Sequence, residues 1–91
     1  QRPREARLPE IRARLQAAFD PQELEVIDDS HLHIGHAGAA DGRGHYRVRI
    51  VSAAFVGMSP VARHRAVYAA VGDLLQTDIH ALSIQASPPG G

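Results

Sequence analysis

The sequence predicts a small α+β domain in the order α-β-β-α-β, on three observations. Two segments, from Pro9 to Phe19 and from Pro60 to Leu75, repeat apolar residues with helical period. Three short segments, 24–28, 45–51 and 79–85, read as strands. Between the first two strands lies a long connection, His31 to His45, that carries four of the six histidines and four of the eight glycines. Helices packed on one face of a small three-stranded sheet follow from that order.

The elements follow in turn. Residues 1–8 are charged and read as a frayed start, with the domain running over 9–86. Pro9 suits a first helical turn, where its missing N–H is not needed. Ile11, Leu15, Ala18 and Phe19 form the inward stripe, and Asp20-Pro21 stops the helix. Leu24 to Asp28 is a strand. Its neighbour alternates: Tyr46, Val48 and Ile50 point one way, His45, Arg47 and Arg49 the other, as in a half-buried strand paired with the first as a hairpin. Ser52 to Met58 is a turn or short helical segment around Gly57. Ser59-Pro60 is a helix start, Ser as cap and Pro in the first position. Val61, His64, Val67, Tyr68, Val71, Leu74 and Leu75 make that helix's apolar face, while Arg63, Ala66 and Asp73 lie away from it. In the last strand His80, Leu82 and Ile84 share a face. Residues 87–91 read as a disordered tail by composition.

Composition narrows the chemistry. Ninety-one residues bury one modest core, and no apolar run approaches the roughly 20 residues that span a membrane. With no secretory signal in view, the cytoplasm is the default location. There is no cysteine, which excludes disulfides, a thiol nucleophile and thiolate-only metal sites built from this chain alone. Net charge is zero but segregated: +3 over residues 1–19, −6 over 20–42, +5 over 43–65 and −2 over 66–91. The basic segment could face phosphates, although a neutral domain is a weak nucleic-acid binder on charge alone.

His31 and His33 are two apart, so in extended backbone they share a side at about 7 Å, and His36 is close behind. Imidazole is the commonest protein metal ligand. The same residues read equally well as solvated side chains, since no zinc-finger or HExxH spacing accompanies them. His64 reads as a core histidine, His80 as a partly buried one bonded to backbone, and His45 as open between roles. Arg47, Arg49, Arg63 and Arg65 form a basic group suited to phosphate, or else solvated faces. Adjacent Asp28 and Asp29 point to opposite sides of a strand, a poor carboxylate pair. No Ser-His-Asp or Cys-His arrangement is supported, so an enzyme is not expected.

Three stretches together resemble the BolA family: Leu24 to Ser30; Phe55 to Arg65, with Phe55, Gly57 and Arg63-His64-Arg65; and Ile79-His80-Ala81-Leu82. The resemblance implies an α-β-β-α-α-β fold related to class II KH domains. It also implies a protein that pairs with a monothiol glutaredoxin, sharing a [2Fe–2S] cluster completed by glutathione. His80 would be one ligand and a histidine of the connection the other, His33 best by position, with His31 and His36 close by. Two histidines on one iron are known from Rieske-type centres. The isolated protein would carry no cluster and would be a monomer or weak dimer. Some family members resemble DNA-binding regulators, which here would use Gly57 to Arg65 helped by Arg47 and Arg49.

Overall fold

The computed structural model describes residues 3–30 and 43–90. The elements are α1 (Arg4–Phe19), β1 (Glu23–Asp28), β2 (Gly44–Val51), a 3-10 turn (Ala53–Phe55), α2 (Pro60–Val71), α3 (Leu74–Thr77) and β3 (Ile79–Ser87). The sheet order is β1-β2-β3, with β1 antiparallel and β3 parallel to β2. The predicted hairpin is present, pairing Leu24 with Ile50 and Val26 with Val48. The chain is α+β, and its second short helix matches the family order rather than the one read from periodicity.

Tyr46, Val48 and Ile50 of the central strand are buried and Arg47 and Arg49 are exposed, as alternation predicts. With Leu82 and Ile84 they meet Ile11 and Leu15 of α1 and Val67 and Val71 of α2 in one core. The other face of the sheet is left polar.

Helix α1 begins at Arg4, five residues before the expected Pro9. Pro9 therefore sits in the second turn, where the bond its N–H would have made to the Glu5 carbonyl is missing, rather than in the first turn where none is needed. The early turn is held by Arg7, which is buried against Asp78, 71 positions away. Ala18 is exposed, and Leu8 packs against the core in addition to Ile11, Leu15 and Phe19. The helix ends at Asp20 in the left-handed conformation, its N–H bonded to the Gln16 carbonyl.

Ser59 caps α2 as predicted, its Oγ accepting the Ala62 N–H at 3.1 Å, with Pro60 in the first turn. The helix does not reach Leu75. It stops at Gly72, whose φ of 53° favours glycine, and α3 follows as a separate short helix. Its inward face also differs from the expected one. Arg63, Val67 and Val71 turn inward, while His64 is exposed and Val61 and Tyr68 are 58% and 38% exposed. Arg63 donates to the Met58 and Ala86 carbonyls, tying the start of α2 to the end of β3. A long arginine stem can line an apolar face while its head finds acceptors. His64 is therefore no core histidine.

One irregularity matters most. Gly44 pairs with Ile79 but His45 pairs with Ala81, so His80 is an extra residue, a bulge in β3. Alternation breaks there: Ile79 is buried and His80 exposed, so His80 does not share the face of Leu82 and Ile84. Beyond Gln85 the strand continues through Ser87, the first residue of the expected tail.

Candidate functional site

Histidine 80, carried out of the core by the bulge, lies beside His45 on β2, with ring centroids 5.1 Å apart and planes tilted by 50°. The sequence marked His45 as outward-facing, but only strand pairing makes it a neighbour of His80. Arg43 Nη2 donates to His80 Nδ1 at 3.3 Å, and its Nη1 donates to the Leu75 carbonyl. A guanidinium has no acceptor, so Nδ1 contributes the lone pair in this contact and a neutral ring carries its proton on Nε2.

The opposite side of the pair is built by Ser30. Asp28 Oδ1 accepts the Ser30 N–H at 2.8 Å, and Ser30 Oγ accepts the His45 N–H at 3.0 Å. The Asp29 N–H bonds the His45 carbonyl at 2.7 Å. Residues 31–42 thus leave from Ser30 beside His45 and return through Arg43 beside His80. His31, His33 and His36 lie outside the described residues; the positions that tether them converge on the two histidines.

Asp28 and Asp29 serve different partners: Asp28 accepts the Ser30 N–H and Asp29 pairs with Arg47. Arg47 and Asp29, with His45, Tyr46, Ala81 and Ser83, line a cleft of about 220 Å³. Arg49 pairs with Glu23 at 2.9 Å. These two arginines stand on the open sheet face, Arg63 is turned inward, and Arg65 is exposed on α2 beside Val61 and Tyr68. The helices cover the other side of the sheet, so the fold does not gather the four arginines on one surface. Among the described residues no group of three or more His, Cys, Asp or Glu could hold a metal ion.

Tyr46 and Gly44 close the site from inside. A Cβ on Gly44 would meet the Tyr46 ring at 2.6 Å and Ser30 Oγ at 2.9 Å, so no other residue fits there without displacement. The Tyr46 hydroxyl is buried with no hydrogen-bond partner among the described residues. Burial, and then the Asp28 carboxylate, push its pKa above the ordinary value; nearby Arg7 opposes this. The folded state therefore holds the phenol proton to higher pH than the unfolded chain does. The associated stability is complete below pH 10 and is lost as pH rises through the raised folded pKa. Tyr46→Phe is expected to leave stability at pH 7 unchanged or higher, because an unpaired buried hydroxyl contributes nothing, and to flatten the decline above pH 10. Urea unfolding at pH 7 and 10.5 checks this; a variant weaker than the parent at pH 7 would contradict it.

The fold and the site define a small α+β domain that presents a histidine pair at one end of a mixed sheet. The family described as BolA-like protein matches residues 15–90, and the chain belongs to that family. It is 50% identical over 82 residues to an uncharacterized protein in the cobS 5′ region of a Sinorhizobium species, covering 88% of each chain. It is 46% identical over 79 residues to mouse BolA-like protein 1, spanning 87% of this chain and 56% of that one. The solved BolA domain of SufE1 from Arabidopsis thaliana superposes with a TM-score of 0.82 at 45% identity, covering 92% of this chain and 93% of that one. No helix among the described residues is long and apolar enough to cross a membrane.

Proposed function

We propose that this protein is a non-enzymatic partner of a monothiol glutaredoxin, sharing a [2Fe–2S] cluster with it in iron–sulfur trafficking or sensing. The observation that carries the reading is the exposed His80, set by a bulge beside His45, with Arg43 at one end of the histidine-rich stretch against His80 and Ser30 at the other end against His45. The donor set fits the group: two imidazoles on adjacent strands suit one iron of a Rieske-like arrangement, and thiols would come from outside a chain that has none. Bound there, the cluster supplies an electron-accepting and transferable iron–sulfur unit.

His80 would be one ligand. His33 is the leading candidate for the second, with His31, His36 and now His45 beside it. Arg43 must release His80 for either ring nitrogen to ligate: Nδ1 is engaged by it, and ligation through Nε2 calls for a proton on Nδ1. Protonated imidazole cannot ligate, so acid should loosen the site.

The test is co-expression with a monothiol glutaredoxin, purification of the complex and its visible absorption spectrum. His80→Ala is expected to abolish the cluster bands, and of His33→Ala and His45→Ala only the true second ligand should change them. Unchanged bands and retention in His80→Ala would overturn the assignment.

A further inference from the structure

We infer that the buried Arg7–Asp78 ion pair positions the histidine site, holding β3 in the register that leaves His80 bulged out beside His45. The consequence for ligand binding rests on the function proposed above; the geometric statement does not.

The pair joins the first turns of α1 to the residue that enters β3. Arg7 Nε donates to Asp78 Oδ1 at 3.3 Å, and Thr77 Oγ1 donates to Asp78 Oδ2 at 2.7 Å. The Asp78 carbonyl accepts the Gly44 N–H at 2.9 Å. Asp78 is thus fixed by both carboxylate oxygens and by its backbone, immediately before Ile79, the partner of Gly44. One residue further is the bulge.

Arg7 and Asp78 are 4% and 1% exposed. A buried ion pair is a poor way to gain stability, since apolar residues of similar volume do as well or better, whereas directional bonds specify geometry. Leucine at 78 would fill the space but would accept nothing from Arg7 or Thr77. The strand opposite has no slack, because Gly44 packs against the Tyr46 ring and Ser30 Oγ without room for a Cβ. A shift of Asp78 therefore passes through the Gly44 bond to His45 and through Ile79 to His80.

The decisive variant is Arg7→Met/Asp78→Leu in the full chain, which removes both charges together and keeps apolar volume. In the isotope-labelled parent, the His45 and His80 rings should show a mutual nuclear Overhauser cross-peak. In the double variant, circular dichroism and core methyl dispersion should persist while that cross-peak falls to the noise. Arg7→Lys, which keeps the charge and a donor, should retain it. If the double variant does not fold, Arg7→Met/Asp78→Asn, which removes both charges and the Arg7 donor but keeps the shape and polarity at position 78, is expected to lose the same cross-peak. A folded variant with an undiminished cross-peak, or a parent without one, overturns the inference. The complex with glutaredoxin gives an independent readout: a lost cross-peak with an unaltered cluster spectrum would uphold the positioning role and count against His80 as ligand.

Discussion

Replacing Arg7 alone with methionine is expected to destabilise the fold by about 3–5 kcal/mol. The loss comes less from the missing attraction than from what stays behind. Asp78 is 1% exposed, and without Arg7 its carboxylate loses a cation that offsets its removal from water. A domain of this size commonly holds only about 5–15 kcal/mol in all, so the variant should unfold at a much lower urea concentration than the parent. Much of the loss should return when Asp78→Leu is added, because the stranded charge is then gone. Chemical denaturation of the parent, the single and the double variants measures both effects. A single variant within about 1 kcal/mol of the parent would mean that water reaches Asp78 and that the pair is not truly buried.

Phe55→Ala is expected to cost a comparable amount, about 3–5 kcal/mol, by a different route. Phe55 is fully buried in the 3-10 turn, its ring centroid 4.9 Å from that of Phe19 at the end of α1. The neighbouring Ser52 Oγ donates to the Phe19 carbonyl at 2.6 Å and accepts the Ala54 N–H at 3.1 Å. The ring therefore fills a fixed corner where α1, β2 and the turn meet, and a corner tied by these bonds cannot collapse around the void. Thermal and urea unfolding check the size of the loss. The His45–His80 cross-peak should survive, because the turn lies at the far end of β2 from the histidines.

The chain's own pattern matches the fold where it is local and strong. The alternation of β2 placed Tyr46, Val48 and Ile50 inward, and Ser59-Pro60 marked the start of α2. The match fails where two patterns compete. On α2 the stripe of Val61, His64 and Tyr68 competes with that of Arg63, Val67 and Val71. Packing against β3 chose the second, since Arg63 reaches carbonyls on both sides. Val61, His64 and Tyr68 are left on the outside, although periodicity groups them with Val67 and Val71. At Gly72 a local conformation ended the helix that periodicity would have carried to Leu75.

The candidate site was legible as a list of donors, not as an arrangement. The absence of cysteine and the crowding of histidines between the first two strands are properties of the chain itself, and with the family motifs they pointed to His80. Only the fold decided that His80 faces outward, because a bulge is a mismatch between two strands and neither strand shows it alone. Only the fold brought His45 to His80 and Arg7 to Asp78. Periodicity reports which side of its own element a residue takes; contacts across 35 and 71 positions depend on how separate elements meet, and that is settled by packing.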